Sequence, residues 1–154
     1  MKSATTAALA LSLALVGGTV SAAECEGKPS ATQLTIEVTG VRAARGQMAI
    51  TIYPDVARRF LAPKGKLARV RVVSRAPVTS ACFWLPQPGF YAVAVYHDAN
   101  GDEDFNRSLV GLPTEGFGFS NDAPTPTGLP PFQAVRFRVP AGESTLKVKL
   151  RYLR

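Results

Sequence analysis

Residues 90–96 read Phe-Tyr-Ala-Val-Ala-Val-Tyr, an unbroken apolar run between Pro88-Gly89 and the polar pair His97-Asp98. Successive side chains of an extended chain point to opposite faces, so a strand of this composition is apolar on both. It is therefore expected to be a central strand covered on both sides, or one whose outer face is roofed by a loop. The segments around it alternate instead. Leu34, Ile36 and Val38 are separated by Thr35 and Glu37, and Met48, Ile50 and Ile52 by Ala49 and Thr51. Val70 and Val72 alternate with Arg69 and Arg71, and Val135, Phe137 and Val139 with Arg136 and Arg138. The cleanest case is the last: Leu146, Val148, Leu150 and Tyr152 share one parity, and Lys147, Lys149 and Arg151 the other. Pro77 to Trp84 adds one more strand, which makes seven.

Turn residues fall between these runs. Gly40 and Gly46 bracket what reads as a short hairpin connection, Pro86 and Pro88-Gly89 lead into the apolar strand, and Ala141-Gly142 separates the last two strands. Only residues 55–62 (DVARRFLA) suit a helix. Many short strands without helical partners predict an all-β fold: a single antiparallel β-sandwich, Ig-like or transthyretin-like, with about seven strands and a long ordered loop.

The first 23 residues stand outside that domain. Lys2 precedes an apolar run from Ala7 to Val16, interrupted only by Ser12, and Val20-Ser21-Ala22-Ala23 offers small residues for cleavage after Ala22 or Ala23. This is the three-part pattern of a secretory signal peptide. The run is short of the roughly 20 residues that span a bilayer, and no later segment is apolar enough to do so. Residues 24–154 then form the domain of an exported chain, periplasmic or secreted. Losing the leader removes Lys2 alone and leaves 17 basic against 11 acidic residues, formally +6. The two cysteines, Cys25 and Cys82, are an even pair in an oxidising compartment, and a disulfide between them is the expected state. In the chain-entropy picture a loop of that length is worth roughly 4 kcal/mol.

The segment from Asp98 to Pro131 is rich in Gly, Pro, Asn and Asp, yet Leu109, Leu112, Phe117 and Phe119 give it apolar anchors. It reads as an ordered loop folded over Phe90–Tyr96. Its first turn, HDANGDEDFN at 97–106, packs four of the chain's 11 acidic residues between Asp98 and Asp104. Their repulsion must be offset by a bound cation or by water and nearby arginines. Asp98, Asn100, Asp102, Asp104 and Asn106 stand at alternate positions, as calcium ligands do in a tight loop, so calcium is the one cofactor the chain suggests. The match to an EF-hand is partial. Glu103 stands where that loop wants Gly, Leu109 where it wants a bidentate Glu, and flanking helices are missing. Glu115 is a candidate distal ligand. The competing expectation is an Asx-rich turn held by side-chain to backbone hydrogen bonds.

His97 is the only histidine, and from one His no catalytic triad or metal triad can be assembled without guesswork. Seven basic residues lie between Arg58 and Arg75 with no acid among them. They suit a solvated face with a weak attraction to anionic envelope surfaces. Nucleic acid is not expected, because aromatics are not interleaved there as base stacking would require, Phe60 standing alone. Trp84, two residues from Cys82, suits core packing or a sugar-stacking platform.

The run YAVAVYHDANGDEDFNRSLVGLPTEGFGFSNDA, Tyr91 to Ala123, resembles an exported bacterial family catalogued as domain of unknown function 2141. The features carrying the resemblance are His97-Asp98 at a strand end, Asn100-Gly101 in the polar turn, and the motif Gly111, Pro113, Glu115, Gly116, Phe117, Gly118, Phe119, Ser120 and Asn121. Glu103 and Asp104 depart from it where the family often has Gly-Lys. The resemblance implies a signal peptide and one β-sandwich domain, and no activity. Within it, Phe117 and Phe119 are expected to plug the outer face of the apolar strand. Gly116 and Gly118 are expected to meet a positive φ or a close approach, and Glu115, Asn121 and Asp122 to return toward Asp98 and Asn100. The functional expectation is an exported, non-enzymatic domain whose site is the 97–122 loop. The alternatives are a small-ligand or carbohydrate-binding module using Trp84 and the loop aromatics, and an enzyme using His97 and nearby carboxylates.

Overall fold

The computed structural model describes residues 24–126 and 128–153, so the leader assigned to residues 1–23 lies outside the described residues. Eight strands follow in order: β1 (Thr32–Thr39), β2 (Gln47–Pro54), β3 (Ala68–Val73), β4 (Val78–Trp84), β5 (Gly89–Asp98), β6 (Gly116–Phe119), β7 (Phe137–Val139) and β8 (Gly142–Lys149). They make two sheets. The smaller has the order β4-β1-β8, the larger β3-β2-β5, with β6 and β7 both paired to β5. β2 takes one edge of β5. β6 lies on the other edge beside Ala94–His97, and β7 continues that edge beside Gly89–Tyr91. The apolar run at 90–96 is thus the centre of the larger sheet.

The alternating residues bury the faces expected of them. Leu34, Ile36 and Val38 of β1, Met48, Ile50 and Ile52 of β2, Val93 and Val95 of β5 and Val148 of β8 share one core between the sheets, with Phe83 from β4. Each of these side chains is worth roughly 1.5–3 kcal/mol when removed from water. The Cys25–Cys82 disulfide ties the segment before β1 to β4.

Several expectations are corrected. The sheets are not wholly antiparallel: β1 and β8 run parallel, from Thr32 opposite Gly142 to Thr39 opposite Lys149. Alternation decides which face a residue takes and says nothing about strand direction, so this was not legible. The connection between Gly40 and Gly46 is not a hairpin turn, because β1 and β2 belong to different sheets. The eighth strand, β6, lies inside the stretch expected to be loop. Residues 55–62 give only a turn of 3-10 helix, Ala57–Arg59. A short helix, α1 (Phe132–Val135), takes Val135 out of the strand expected there and buries it on the outer side of the larger sheet. The last strand ends at Lys149. The chain then crosses sheets, and Phe117 and Arg151 exchange backbone hydrogen bonds of 2.9 and 2.8 Å.

Candidate functional site

Asp98 ends β5 with its carboxylate fully buried. Its Oδ1 accepts the Gly101 N–H at 2.7 Å, and its Oδ2 accepts the Glu103 N–H at 2.9 Å and faces the Arg71 guanidinium at 3.4 Å. Arg71 also donates to the Glu103 carbonyl at 2.6 Å and to the Tyr96 hydroxyl at 2.8 Å. The repulsion in the acidic turn is therefore met by an arginine of β3 and by backbone N–H groups. Asp102 binds the turn together from the solvent side. It accepts the Asn100 and Asn106 side-chain amides at 2.8 and 2.9 Å and the Asp104 N–H at 3.0 Å. These donors, the Asn106 amide first, hold its carboxyl below the usual carboxylate range. Glu115 does return to the turn, accepting the Ala99 N–H at 3.3 Å and the Asn106 N–H at 3.1 Å. Burial pushes its carboxyl above the usual range, and the nearby Asp98 and Asp102 charges add to that.

This arrangement does not fit calcium. The cation needs converging oxygens, whereas Asn100 and Asn106 turn their amide NH2 groups inward and Asp98 is surrounded by donors. Among the described residues no three acidic, His or Cys side chains converge. Asp104 gives the turn its backbone N–H.

His97, the next residue inward, is buried on the core side of β5. Its Nε2 lies 2.8 Å from the Arg45 carbonyl, which can only accept, so that nitrogen carries a proton. Its Nδ1 lies 2.9 Å from the Tyr152 hydroxyl, which the neutral ring would accept. Both nitrogens are thus engaged in joining β5, the 40–46 crossing and the chain end. Gly116 and Gly118 sit opposite His97 and Val95 in β6. A Cβ on Gly116 would lie 2.4 Å from the Tyr152 ring, and one on Gly118 2.7 Å from the Lys149 carbonyl. Close approach, not positive φ, explains both glycines.

Asn121 and Asp122 do not return to the acidic turn. The Asn121 amide donates to the Ala134 and Arg136 carbonyls at 3.1 and 3.0 Å, and Asp122 accepts the Lys149 N–H at 2.8 Å. They fasten the loop to α1 and β8. Trp84 is half-buried on β4, on the outward parity of the smaller sheet, and shares no surface with the loop aromatics.

The loop aromatics gather on the outer face of the larger sheet. Two cross-strand rows run across it. One is Arg71, Ala49, Tyr96 and Phe117, and the other Arg69, Thr51, Ala94 and Phe119. Phe117 and Phe119 do lie on that face, but as members of β6 beside β5 rather than as a plug over it. The second row has small residues, Thr51 and Ala94, in its middle and large ones, Arg69 and Phe119, at its ends, so the floor is sunken there. Phe105 walls one side, with ring centroids 5.4 Å from Tyr96 and 6.0 Å from Phe117. Tyr53 and Leu61 wall the other. The result is an open cavity of about 870 Å³, reached also by Arg107 and Leu112 of the long loop. Leu109 projects from that loop fully into solvent, and Val110 largely so. Sequence reasoning placed the aromatics here but missed the cavity and Arg69. The signal was present in the parity of Thr51 and Ala94, two small residues paired on the outward side of two central strands.

A family model described as "Uncharacterized protein conserved in bacteria (DUF2141)" matches residues 36–147. No curated protein and no solved structure matches the chain.

Proposed function

This chain belongs to the bacterial family DUF2141, and on that premise we propose that it is an exported, non-enzymatic β-sandwich module that binds a small molecule on the outer face of its larger sheet. The observation that carries this reading is the open cavity over Thr51, Ala94 and Tyr96. A folded chain gains by covering apolar area, and an aromatic-walled depression of this size left open on a central strand suits a ligand. The groups an enzyme would need are otherwise employed. His97 has both nitrogens hydrogen-bonded, and Asp98 and Glu115 hold the turn together. The disulfide supports an oxidising compartment, and no described helix is long and apolar enough to cross a membrane. Of the two aromatic surfaces the sequence suggested, the loop side is favoured over Trp84 because it is concave.

The test uses N-phenyl-1-naphthylamine, a neutral aromatic probe that brightens in apolar surroundings. Titrated onto the chain from Glu24, it should show saturable fluorescence with one site per chain. Ala94→Trp, which fills the floor, should abolish the signal while circular dichroism and the melting transition persist. A signal that does not saturate, or that survives in folded Ala94→Trp, would remove the cavity as a site.

A further inference from the structure

The cavity is not electrically neutral. Arg69 stands at the end of its floor, with Nε donating to Thr51 Oγ1 at 2.7 Å and the guanidinium beside the Tyr53 hydroxyl. Lys64 and Lys66, from the β2–β3 connection, share with Arg69, Tyr53 and Leu61 an adjoining recess of about 310 Å³. Among the described residues none of these three cations has a carboxylate within 4.0 Å, the ion pairs being made by Arg71, Arg136 and Lys147. The contrast within β3 is informative. Arg71 is taken up by Asp98 and Glu103, while Arg69, two residues earlier on the same face, is held only by neutral hydroxyls. Thr51 fixes the Arg69 stem, so its terminal nitrogens are set in place at the edge of an apolar floor.

We propose that the cavity takes an amphiphilic anion, with an apolar or aromatic body over Ala94 between the Phe105 and Phe119 walls and a carboxylate, sulfonate or phosphate head against Arg69 and the Lys64–Lys66 side. This rests on the outer face being a binding site and adds the chemical class of the occupant. The apolar body takes up the surface that folding leaves uncovered, and an oxyanion that presents two oxygens at once suits the fork of a guanidinium whose Nε is already held by Thr51. The Arg69 guanidinium and the apolar floor line one cavity, so a ligand that fills it must carry both an anionic and an apolar part.

The experiment compares 8-anilinonaphthalene-1-sulfonate with N-phenyl-1-naphthylamine, which has the same aromatic body and no charge. The sulfonate should bind the folded chain about tenfold or more tightly than the neutral probe, the scale of one charge-assisted hydrogen bond. Arg69→Gln should erase that advantage, so that the two probes bind the folded variant with equal affinity. Raising sodium chloride should weaken the sulfonate alone. If Arg69→Gln fails to fold, the double change Lys64→Gln and Lys66→Gln, at exposed positions, should still cost the sulfonate several-fold. Equal affinity of the two probes, or a sulfonate affinity untouched in the folded variants, would overturn the anion assignment while leaving the site. Failure of both probes to bind would remove the site itself.

Discussion

The two faces of β5 are built from the same apolar run and end differently. On the inner face Tyr91, Val93 and Val95 meet the residues of the smaller sheet and are sealed in one core. On the outer face Ala92, Ala94 and Tyr96 are met by aromatics from β2, the β2–β3 connection, the long loop, β6 and α1, and several of those side chains remain only partly covered. The inner face is closed by a second sheet, whose alternating rows present side chains at regular spacing. The outer face is closed by the β2–β3 connection, the long loop and α1, which arrive at irregular spacing and leave a gap over the smallest residues. The inner face thus carries the larger buried cluster, and the outer face a smaller one with an open cavity beside it.

Truncation should separate the two faces. Ile50→Ala, on the inner face with no exposed surface, should cost about 2–5 kcal/mol in denaturant unfolding. A cost below about 1 kcal/mol would show that the inner core is not the main source of stability. The next largest effect belongs to the acidic turn. In Asp98→Asn the new amide nitrogen would face the Glu103 N–H and the Arg71 guanidinium, donor against donor, for a loss of about 1–3 kcal/mol. Near-neutrality there would mean that the turn is held by something other than these bonds. Phe105→Ala, at the cavity wall, should cost no more than about 1 kcal/mol, since its ring is only half-buried. A loss as large as that of Ile50→Ala would erase the distinction between the faces.

The turn also makes a pH statement. The Asp102 carboxyl is held low by its donors, so the stability it lends is present above its ordinary value of 3.8 and is lost as pH falls through its folded value. The Glu115 carboxyl is raised from 4.5, so its charged form is the costly one, and protonating it on the way down adds stability just above that value. A carboxyl-detected NMR titration should find Glu115 protonating before Asp102. The smallest expected effect is none: millimolar calcium and sodium chloride at matched ionic strength should give equal melting temperatures on metal-stripped chain. A rise with calcium alone, abolished by Asp98→Asn, would restore a cation to the turn.

Much of the inner face was legible because period-2 alternation reports burial directly, and the cysteine pairing because the count leaves one choice. The Glu115 return was legible from the motif. What escaped depends on long-range geometry. The parallel β1–β8 pair has the same alternation an antiparallel pair would have. β6 was hidden because Gly116 and Gly118 carry no side chains to alternate, their space being taken by Tyr152 and the Lys149 carbonyl. The cavity escaped because it is defined by what Thr51 and Ala94 lack, and a missing side chain matters only once its neighbours across the sheet are known.

The most direct measurement is a map of backbone and methyl NMR shifts as 8-anilinonaphthalene-1-sulfonate is added to the folded chain from Glu24. The account predicts saturable changes concentrated at Thr51, Arg69, Ala94, Tyr96 and Phe119, with the core residues Ile36 and Phe83 of the smaller sheet and the opposite-face Trp84 left in place. Changes centred on Trp84, or spread evenly through the inner core, would contradict it.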